Sequence, residues 1–250
     1  MTPGVALVTG AGARLGRAMA LALGEGGWKV AVHYRASAKG ADETCEMIRA
    51  AGGTAEPVRA DLASESDREG LVARAAGALG GPVSLLVNSA STFTDDSAAG
   101  HSRKDWDFHM EPNLRAPIHL AQQLAAGLPD GEKALIVNLI DQRVWKLNPQ
   151  FFTYTLSKAA LWQATQTLAQ AFAPHIRVNA IGPGPVLVAA HQSDEDFAAE
   201  QAATLTGEGS SPDEIVRALR YFISASSVTG QMIASDGGQH LMWQTPDVKL

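Results

Sequence analysis

Val5-Ala6-Leu7-Val8-Thr9-Gly10-Ala11-Gly12-Ala13-Arg14-Leu15-Gly16, running into Arg17-Ala18-Met19-Ala20-Leu21-Ala22-Leu23, is the stretch on which the fold turns. Val5 to Val8 is an unbroken apolar run, as a strand covered on both faces requires. Thr9 to Gly16 is a glycine-rich turn with Gly-x-Gly-x-x-x-Gly spacing, one residue longer than the common dinucleotide fingerprint, and helical periodicity follows from Ala18. Strand, glycine turn and helix together can hold a pyrophosphate. The glycines let backbone approach it, and the helix N-terminus offers unpaired N–H groups and partial positive charge. The competing reading is a tight turn without a ligand.

The same rhythm continues outward. Trp28 to Tyr34 reads as a second strand and Ala41 to Ala50 as a helix. In a dinucleotide site, the end of this strand meets the adenosine ribose, where an acid selects NAD and a base selects the 2′-phosphate of NADP. Here it reads His33-Tyr34-Arg35-Ala36-Ser37, with no acid, so NADP is expected, with Arg35 and Ser37 toward the phosphate. A solvated Arg35 is the plainer alternative. The third strand, Thr54 to Ala60, ends at Asp61-Leu62; Asp61 suits the adenine amino group or the cap of a helix spanning Ser64 to Leu79.

Pro82 to Asn88 is a fourth buried strand, ending Asn88-Ser89-Ala90-Ser91-Thr92-Phe93. Small residues at a strand's C-terminal end leave room for a flat ring, and Phe93 offers it a stacking surface or packs in the core. Asp95 to Asp107 reads as polar and turn-rich, and Asn113 to Ala126 as a helix bent by Pro117. Asn113 within an apolar helix needs a partner. A fifth strand closes at Asp141, a sixth covers Ile176 to Ile181 before Gly182-Pro183-Gly184-Pro185, and a seventh covers Gly230 to Ala234. The stretch 186–211, with His191 and the acids Asp194, Glu195 and Asp196, reads as a loop-like or weakly helical lid; its acids suit a solvated face better than a metal site. The expected architecture is therefore α/β: one Rossmann-type, doubly wound sheet of seven parallel strands with helices on both faces. It occupies a single domain over 1–245, followed by a short tail 246–250.

Tyr154 and Lys158 are four apart, on one face of the helix that runs to about Phe172. An ammonium beside a phenol stabilises the phenolate, which makes Tyr154 a candidate general acid/base. Taken alone this spacing also fits a helix with a solvated lysine.

Composition narrows the functional classes. The chain has 250 residues, 46% hydrophobic and 18% charged, with a net charge of -6. No basic run suggests nucleic acid or an anionic membrane, and no apolar run reaches the length of a membrane span. No secretory signal is evident at the N-terminus, and the one cysteine, Cys45, is placed on a surface helix and expected to be bland. A cytoplasmic location and no metal site are the corresponding expectations.

In order and spacing, Thr9-Gly10…Gly16, Asp61-Leu62, Asn88-x-Ala90, Asn113, Tyr154-x-x-x-Lys158, Asn179 and Pro183-Gly184 resemble the short-chain dehydrogenase/reductase family over essentially the whole chain. The resemblance implies that Tyr154 donates the proton, that Lys158 binds the nicotinamide ribose and depresses the tyrosine pKa, and that Asn113 holds a relay water. Two departures look like the pteridine and dihydromonapterin reductase branch. Arg14 replaces the middle glycine, and Asp141 replaces the usual serine thirteen residues before the tyrosine. His33-Tyr34 and Ser91-Thr92-Phe93 fit that branch too, whereas Asn88-Ser89 departs from the usual Asn-Asn. An ionised aspartate only accepts hydrogen bonds and repels an alkoxide, so it suits a substrate with N–H groups or one protonated on nitrogen; a raised pKa would instead let Asp141 donate, and a cap on local backbone is the plainer alternative.

The resemblance thus implies an NADPH-dependent reductase of a dihydropterin (dihydromonapterin, dihydrobiopterin or dihydrofolate). The runners-up are a reductase of small ketones or aldehydes, and a non-catalytic NADP(H)-binding redox sensor. Asp141, Tyr154, Lys158 and Asn113 are the catalytic candidates. Gly10, Arg14, Leu15, Gly16, His33, Tyr34, Arg35, Ser37, Asp61, Leu62, Asn88, Ala90, Ser91, Pro183 and Gly184 join Tyr154 and Lys158 around NADP(H). Arg14, Ser91, Phe93, Asp141, Tyr154 and Leu187 face the substrate. Relatives of this kind usually form homotetramers through the helices containing Asn113 and Tyr154, and the apolar tail Leu241-Met242-Trp243 suggests burial at a subunit contact.

Overall fold

The strands β1 (Val5–Val8), β2 (Lys29–Tyr34), β3 (Thr54–Arg59), β4 (Val83–Asn88), β5 (Ala134–Leu139), β6 (Ile176–Pro183) and β7 (Met232–Ser235) form one parallel sheet in the order β3-β2-β1-β4-β5-β6-β7. The structure, a computed structural model, describes residues 1–188 and 192–243. His191 and the tail 246–250 lie outside the described residues. The chain reverses direction across the sheet between β1 and β4, opening a crevice at the strands' C-terminal ends where ligands of such sheets bind.

Alternation along β1 supplies both faces of the core. Ala6 and Val8 pack with Met19 and Leu23 of α1 (Arg14–Glu25), Ile48 of α2 (Ala38–Ala50), and Leu219 and Phe222 of the helix Pro212–Ser224. Val5 and Leu7 face Leu71 and Ala75 of the helix Leu71–Leu79, and Leu120 and Leu124 of the helix Ala116–Gly127. Asn179 joins β6 to the entry of β7, donating to the Val228 carbonyl and accepting the Gln231 amide. Among the described residues no helix is long and apolar enough to cross a membrane.

Several boundaries differ from those expected. The helix read over Ser64 to Leu79 is two, α3 (Glu65–Arg68) and α4 (Leu71–Leu79), separated at Gly70, whose φ of +64° leaves the helical region. The polar stretch before Asn113 holds α5 (Arg103–Met110), started by a reciprocal Ser102–Asp105 capping box. The bend expected at Pro117 is instead a π-helical turn, Glu111–Arg115, between α5 and α6 (Ala116–Gly127). Pro112 has no N–H for the Phe108 carbonyl, which accepts the Thr92 hydroxyl instead. After α7 (Phe152–Ala171) and β6, the 186–211 stretch contains α8 (Asp194–Ala202) before α9 (Pro212–Ser224). Asp194, Glu195 and Asp196 fill the first turn of α8, where carboxylates complement the helix dipole. Cys45 lies on the inner face of α2 rather than at the surface, and burial pushes its thiol up to about 11, which makes it unreactive.

Candidate active site

The glycine turn is held by contacts that tolerate no side chain. Gly10 has φ +65°, and a Cβ there would lie 2.9 Å from Ala90 Cα. One on Gly16 would lie 2.3 Å from the Gly10 carbonyl oxygen. Thr9 Oγ1 accepts the Ser89 and Ala90 amides at 2.9 and 3.0 Å, so the ends of β1 and β4 move as a unit. The N-cap of α1, Ala13, has no side-chain acceptor, which leaves first-turn amides for an anion. Arg17, unmarked in the sequence reading, donates to the Gly12 carbonyl at 2.6 Å and to Thr44 at 3.0 Å, pinning the turn to α2.

His33 is 2% exposed, and its ring serves the turn from behind. The Gly10 amide donates to Nδ1 at 3.1 Å, so Nδ1 carries no proton, and Nε2–H donates to the Ala60 carbonyl at 3.1 Å. Burial pushes this imidazole down to about 4, against the raising effect of the Ala60 carbonyl. Because the folded value lies below the unfolded one, the folded state is favoured fully above pH ~6.5, and that advantage is lost as pH falls toward 4. Urea unfolding is therefore expected to show roughly 3 kcal/mol less stability at pH 4 than at pH 7 from this group. His33→Gln should remove that part of the slope; parallel pH profiles for the two proteins would refute it.

At the C-terminal end of β2, where the sequence led the adenosine to be expected, Arg35 and Ser37 are exposed, and Ser37 Oγ also caps α2 by accepting the Gly40 amide at 3.3 Å. Tyr34 is half-buried. Asp61 turns its own loop, Oδ1 accepting the Ala63 amide at 3.0 Å, and caps no helix; Ser64 caps α3. Leu62 is in the core, with its carbonyl held by the fully buried Arg68. Leu15 packs against the α1 side of the core. Arg14, at φ 51°, reaches across the crevice to the Leu187 and Val188 carbonyls at 3.2 and 2.9 Å, which attaches the start of the 186–211 stretch to the glycine turn.

Deeper in the crevice, Asn88 Nδ2 donates to Asn138 at 2.8 Å, and Asn138 Nδ2 donates to Thr165 at 2.9 Å. Asn88 Oδ1 is buried without a hydrogen-bond partner among the described residues. Pro183 ends β6, and Gly184 packs so tightly on Asp236 that a Cβ would lie 2.6 Å from the aspartate Cβ. Asn113 Nδ2 donates to the Thr92 carbonyl at 2.9 Å and to Ser157 at 3.2 Å, while its Oδ1 accepts the Thr92 amide at 2.8 Å and the Ser91 hydroxyl at 3.2 Å. The kinked helix thereby ties the end of β4 to α7. At α-helical spacing, the partner of the Asn113 carbonyl would be residue 117, and Pro117 has no N–H to give.

Tyr154 Oη donates to Asp141 Oδ2 at 2.9 Å, and Asp141 Oδ1 accepts the Arg143 amide at 2.8 Å. Lys158 is 3% exposed; its Nζ donates to the Leu139 carbonyl at 2.8 Å and lies 5.8 Å from the Tyr154 ring centroid. The expected lysine-depressed phenol is not the state of the protein by itself. Burial, then the Asp141 carboxylate, hold the Tyr154 pKa well above its ordinary value. Burial lowers Lys158 to about 8, although Asp141 pulls the other way. Tyr154 is thus a protonated phenol poised to donate. Phe93 meets its ring edge-to-face at 4.6 Å.

A family model described as short chain dehydrogenase matches residues 4–198. The chain belongs to the short-chain dehydrogenase family. Within this family it is 46% identical to FolM alternative dihydrofolate reductase 1 from Brucella canis, solved in complex with NADP, with a TM-score of 0.95 over 99% of this chain and 98% of that one. It is 34% identical to an uncharacterized oxidoreductase of Methylorubrum extorquens, over 94% of this chain and 96% of that protein. It is 32% identical to 3beta-hydroxysteroid dehydrogenase 1 of Eggerthella lenta, over 94% and 93% respectively.

Two side chains of this short-chain dehydrogenase stand at the site without having been singled out in the sequence. Phe151 stacks on Phe93 with centroids 4.4 Å apart, and the Arg143 guanidinium lies 4.7 Å over the Phe151 ring. Phe151 has φ 53°, a conformation that no sequence rule assigns to a bulky residue. Arg143 follows Asp141 by two positions, the only local signal it offered.

Proposed function

We propose that this protein is an NADPH-dependent reductase of a dihydropterin, forming the tetrahydropterin by reduction of a C=N bond. The observation that carries the reading is Asp141 bonded to the Tyr154 phenol at 2.9 Å, with Phe93 against the same tyrosine ring. A carboxylate there accepts substrate N–H groups and disfavours an alkoxide. The 46% identity to an alternative dihydrofolate reductase supports the same substrate class. The runner-up, reduction of ketones, draws on relatives such as the hydroxysteroid dehydrogenase.

The residues fit the cofactor. The side-chain-free approach at Gly10 and Gly16 and the uncapped α1 N-terminus suit a pyrophosphate, and Asn88 Oδ1, at the C-terminal end of β4, is a buried acceptor without a partner among the described residues. When bound, NADPH supplies the hydride taken up by the C=N carbon. The chain's own residues manage position and proton. Tyr154 gives its Oη proton to the substrate nitrogen, Asp141 holds substrate N–H groups through its remaining lone pairs, and Lys158 stabilises the charge left on the phenol. Arg14 and Leu187 close the outer side, Phe93 and Ser91 line the ring slot, and the Asn113 carbonyl offers an acceptor for a relay water.

Loss of NADPH absorbance with dihydrobiopterin, dihydromonapterin or dihydrofolate tests the reading; brisk ketone turnover with none of the pterins would overturn it. Arg35→Ala is expected to raise the NADPH KM by about tenfold or more, as loss of a charge-assisted bond implies, while leaving NADH unchanged. Equal effects on both cofactors would remove Arg35 from the phosphate site. The protein would be a cytoplasmic homotetramer built on the kinked helix that contains Asn113 and on α7, in keeping with exposed Trp106 and Phe108 of α5, Leu156 of α7, and Leu241 and Trp243 at the C-terminal end.

A further inference from the structure

The first turn of α7, which carries Tyr154, draws its capping acceptors from another part of the chain. Its N-cap position is Phe151, left-handed at φ 53° and without a capping side chain. The loop after β4 supplies the acceptors. Asp96 Oδ1 accepts the Thr153 amide at 3.0 Å, the Asp96 carbonyl accepts the Phe152 amide at 3.4 Å, and Asp95 accepts the Phe151 amide at 3.4 Å. The other Asp96 carboxylate oxygen accepts the Thr153 hydroxyl. That hydroxyl also meets His109 Nδ1 of α5 at 2.7 Å, and His109 Nε2 faces the Thr94 amide at 3.2 Å and the Thr94 hydroxyl at 3.3 Å.

The order of these partners dictates where the protons sit. The Thr94 amide can only donate, so Nε2 is bare. Asp96 can only accept, so Thr153 gives it the hydroxyl hydrogen, and His109 must donate to Thr153 from Nδ1–H. His109 is wholly buried, edge-on to the Tyr154 ring at 5.9 Å. Phe93 lies on the docked loop, one residue before Thr94.

We propose that Asp96, Thr153 and His109 are positioning residues that dock the Phe93 loop on the first turn of α7 only while His109 is neutral, making substrate affinity depend on the His109 proton. The substrate half of this rests on the pterin reading; the network itself does not. A proton on Nε2 would set two N–H groups face to face at the Thr94 amide, so the loop would have to shift until the Thr94 hydroxyl, 3.3 Å away, alone met Nε2 as acceptor. The groups facing His109 are Asp96 of the loop, its carboxylate 4.0 Å away, Asp105 of α5, and the Tyr154 ring of α7. Both carboxylates favour the cation, but burial outweighs them and holds the imidazole below its ordinary value. The loop is docked at neutral pH and released as pH falls through the His109 titration.

Nitrogen-15 NMR of the histidine-labelled protein with NADPH bound, together with kinetics on dihydrobiopterin from pH 5 to 8, tests this. At pH 7 His109 should be the neutral Nδ1–H tautomer, opposite to His33. The pterin KM should rise as pH drops through the His109 titration, and His109→Gln should lack that limb. Asp96→Asn keeps the shape but turns a donor onto the Thr153 hydroxyl; at pH 7 it should raise the pterin KM by about tenfold while kcat and NADPH affinity change little. A scaffold role alone would lower kcat and NADPH binding together and leave the pH profile intact. An Nε2–H or charged His109 at pH 7, or superimposable KM profiles, overturns the proposal. Should the wild type reduce no pterin, the substrate reading fails by itself, and the tautomer and the hydrogen-exchange protection of the Thr94 and Thr153 amides still decide the network.

Discussion

Lys158→Met is expected to stabilise the fold by roughly 2 kcal/mol at pH 7 while lowering kcat by at least about a hundredfold. Lys158 is 3% exposed and its ammonium is pushed down to about 8, chiefly by burial. The folded pKa lies below the unfolded one, so the unfolded chain binds the proton more tightly between pH 8 and pH ~10.5, and stability rises with pH across that window. Below it the charged side chain costs the native state roughly 3 kcal/mol. Methionine has similar length and no charge to desolvate. It strands the Leu139 carbonyl, bonded to Nζ at 2.8 Å in the native protein, at a cost of about 1 kcal/mol. The remainder should appear as a rise in Tm of roughly 4–8 °C. Thermal unfolding of both proteins at pH 7 and 10.5 checks this, because the advantage of methionine must shrink at the higher pH. A variant less stable than wild type at pH 7 would refute it. That pair of outcomes would mark the lysine as a residue held for chemistry against the preference of the fold.

With the proposed pterin as substrate, Asp141→Ser should move the preference of the enzyme toward ketones. Removing the carboxylate that accepts Tyr154 Oη at 2.9 Å takes away an acceptor for substrate N–H groups and a charge that repels an alkoxide. The loss of a charge-assisted bond predicts a fall in kcat/KM for dihydropterin of about a hundredfold, and a gain of about tenfold for a small ketone. The acid/base groups shift as well. Asp141 helps to raise both the Tyr154 and the Lys158 pKa, so the alkaline limb of the pH profile should move to lower pH in the variant. Asp141→Asn separates the two effects, since it removes the charge but keeps an acceptor for the Arg143 amide at Oδ1. If Asp141→Ser leaves the pterin-to-ketone ratio unchanged, the carboxylate does not set substrate class.

The strand pattern was legible because buried parallel strands are apolar runs closed by small residues; β1, β4 and β5 carry that mark plainly, whereas β3, Thr54-Ala55-Glu56-Pro57-Val58-Arg59, does not. α5 was missed although its Ser102–Asp105 capping box is plain in the sequence. Its residues Arg103-Lys104-Asp105-Trp106-Asp107-Phe108 show little apolar periodicity, and the helix is anchored by tertiary contacts of His109 instead. Pro117 was a reasonable place to expect a bend. The irregular turn formed around Pro112 because the carbonyl it frees finds the Thr92 hydroxyl, sixteen residues away in sequence. Phe151 and Arg143 escaped notice because nothing in their neighbours reports a left-handed backbone or a guanidinium stacked over a ring.

By itself, the sequence determined the α/β class, the glycine turn at the first strand's end, and the set of chemically able residues, among them Asp141 after the fifth strand and Tyr154 and Lys158 on the helix that follows. These are properties of periodicity, turn chemistry and order along the chain, and all are local. Only the tertiary structure decided that Tyr154 is bonded to Asp141 rather than to Lys158, that His33 and His109 hold opposite tautomers, and that Asp96 caps the helix carrying Tyr154. Those facts depend on burial and on the direction of hydrogen bonds between residues as many as 57 positions apart, and packing creates both.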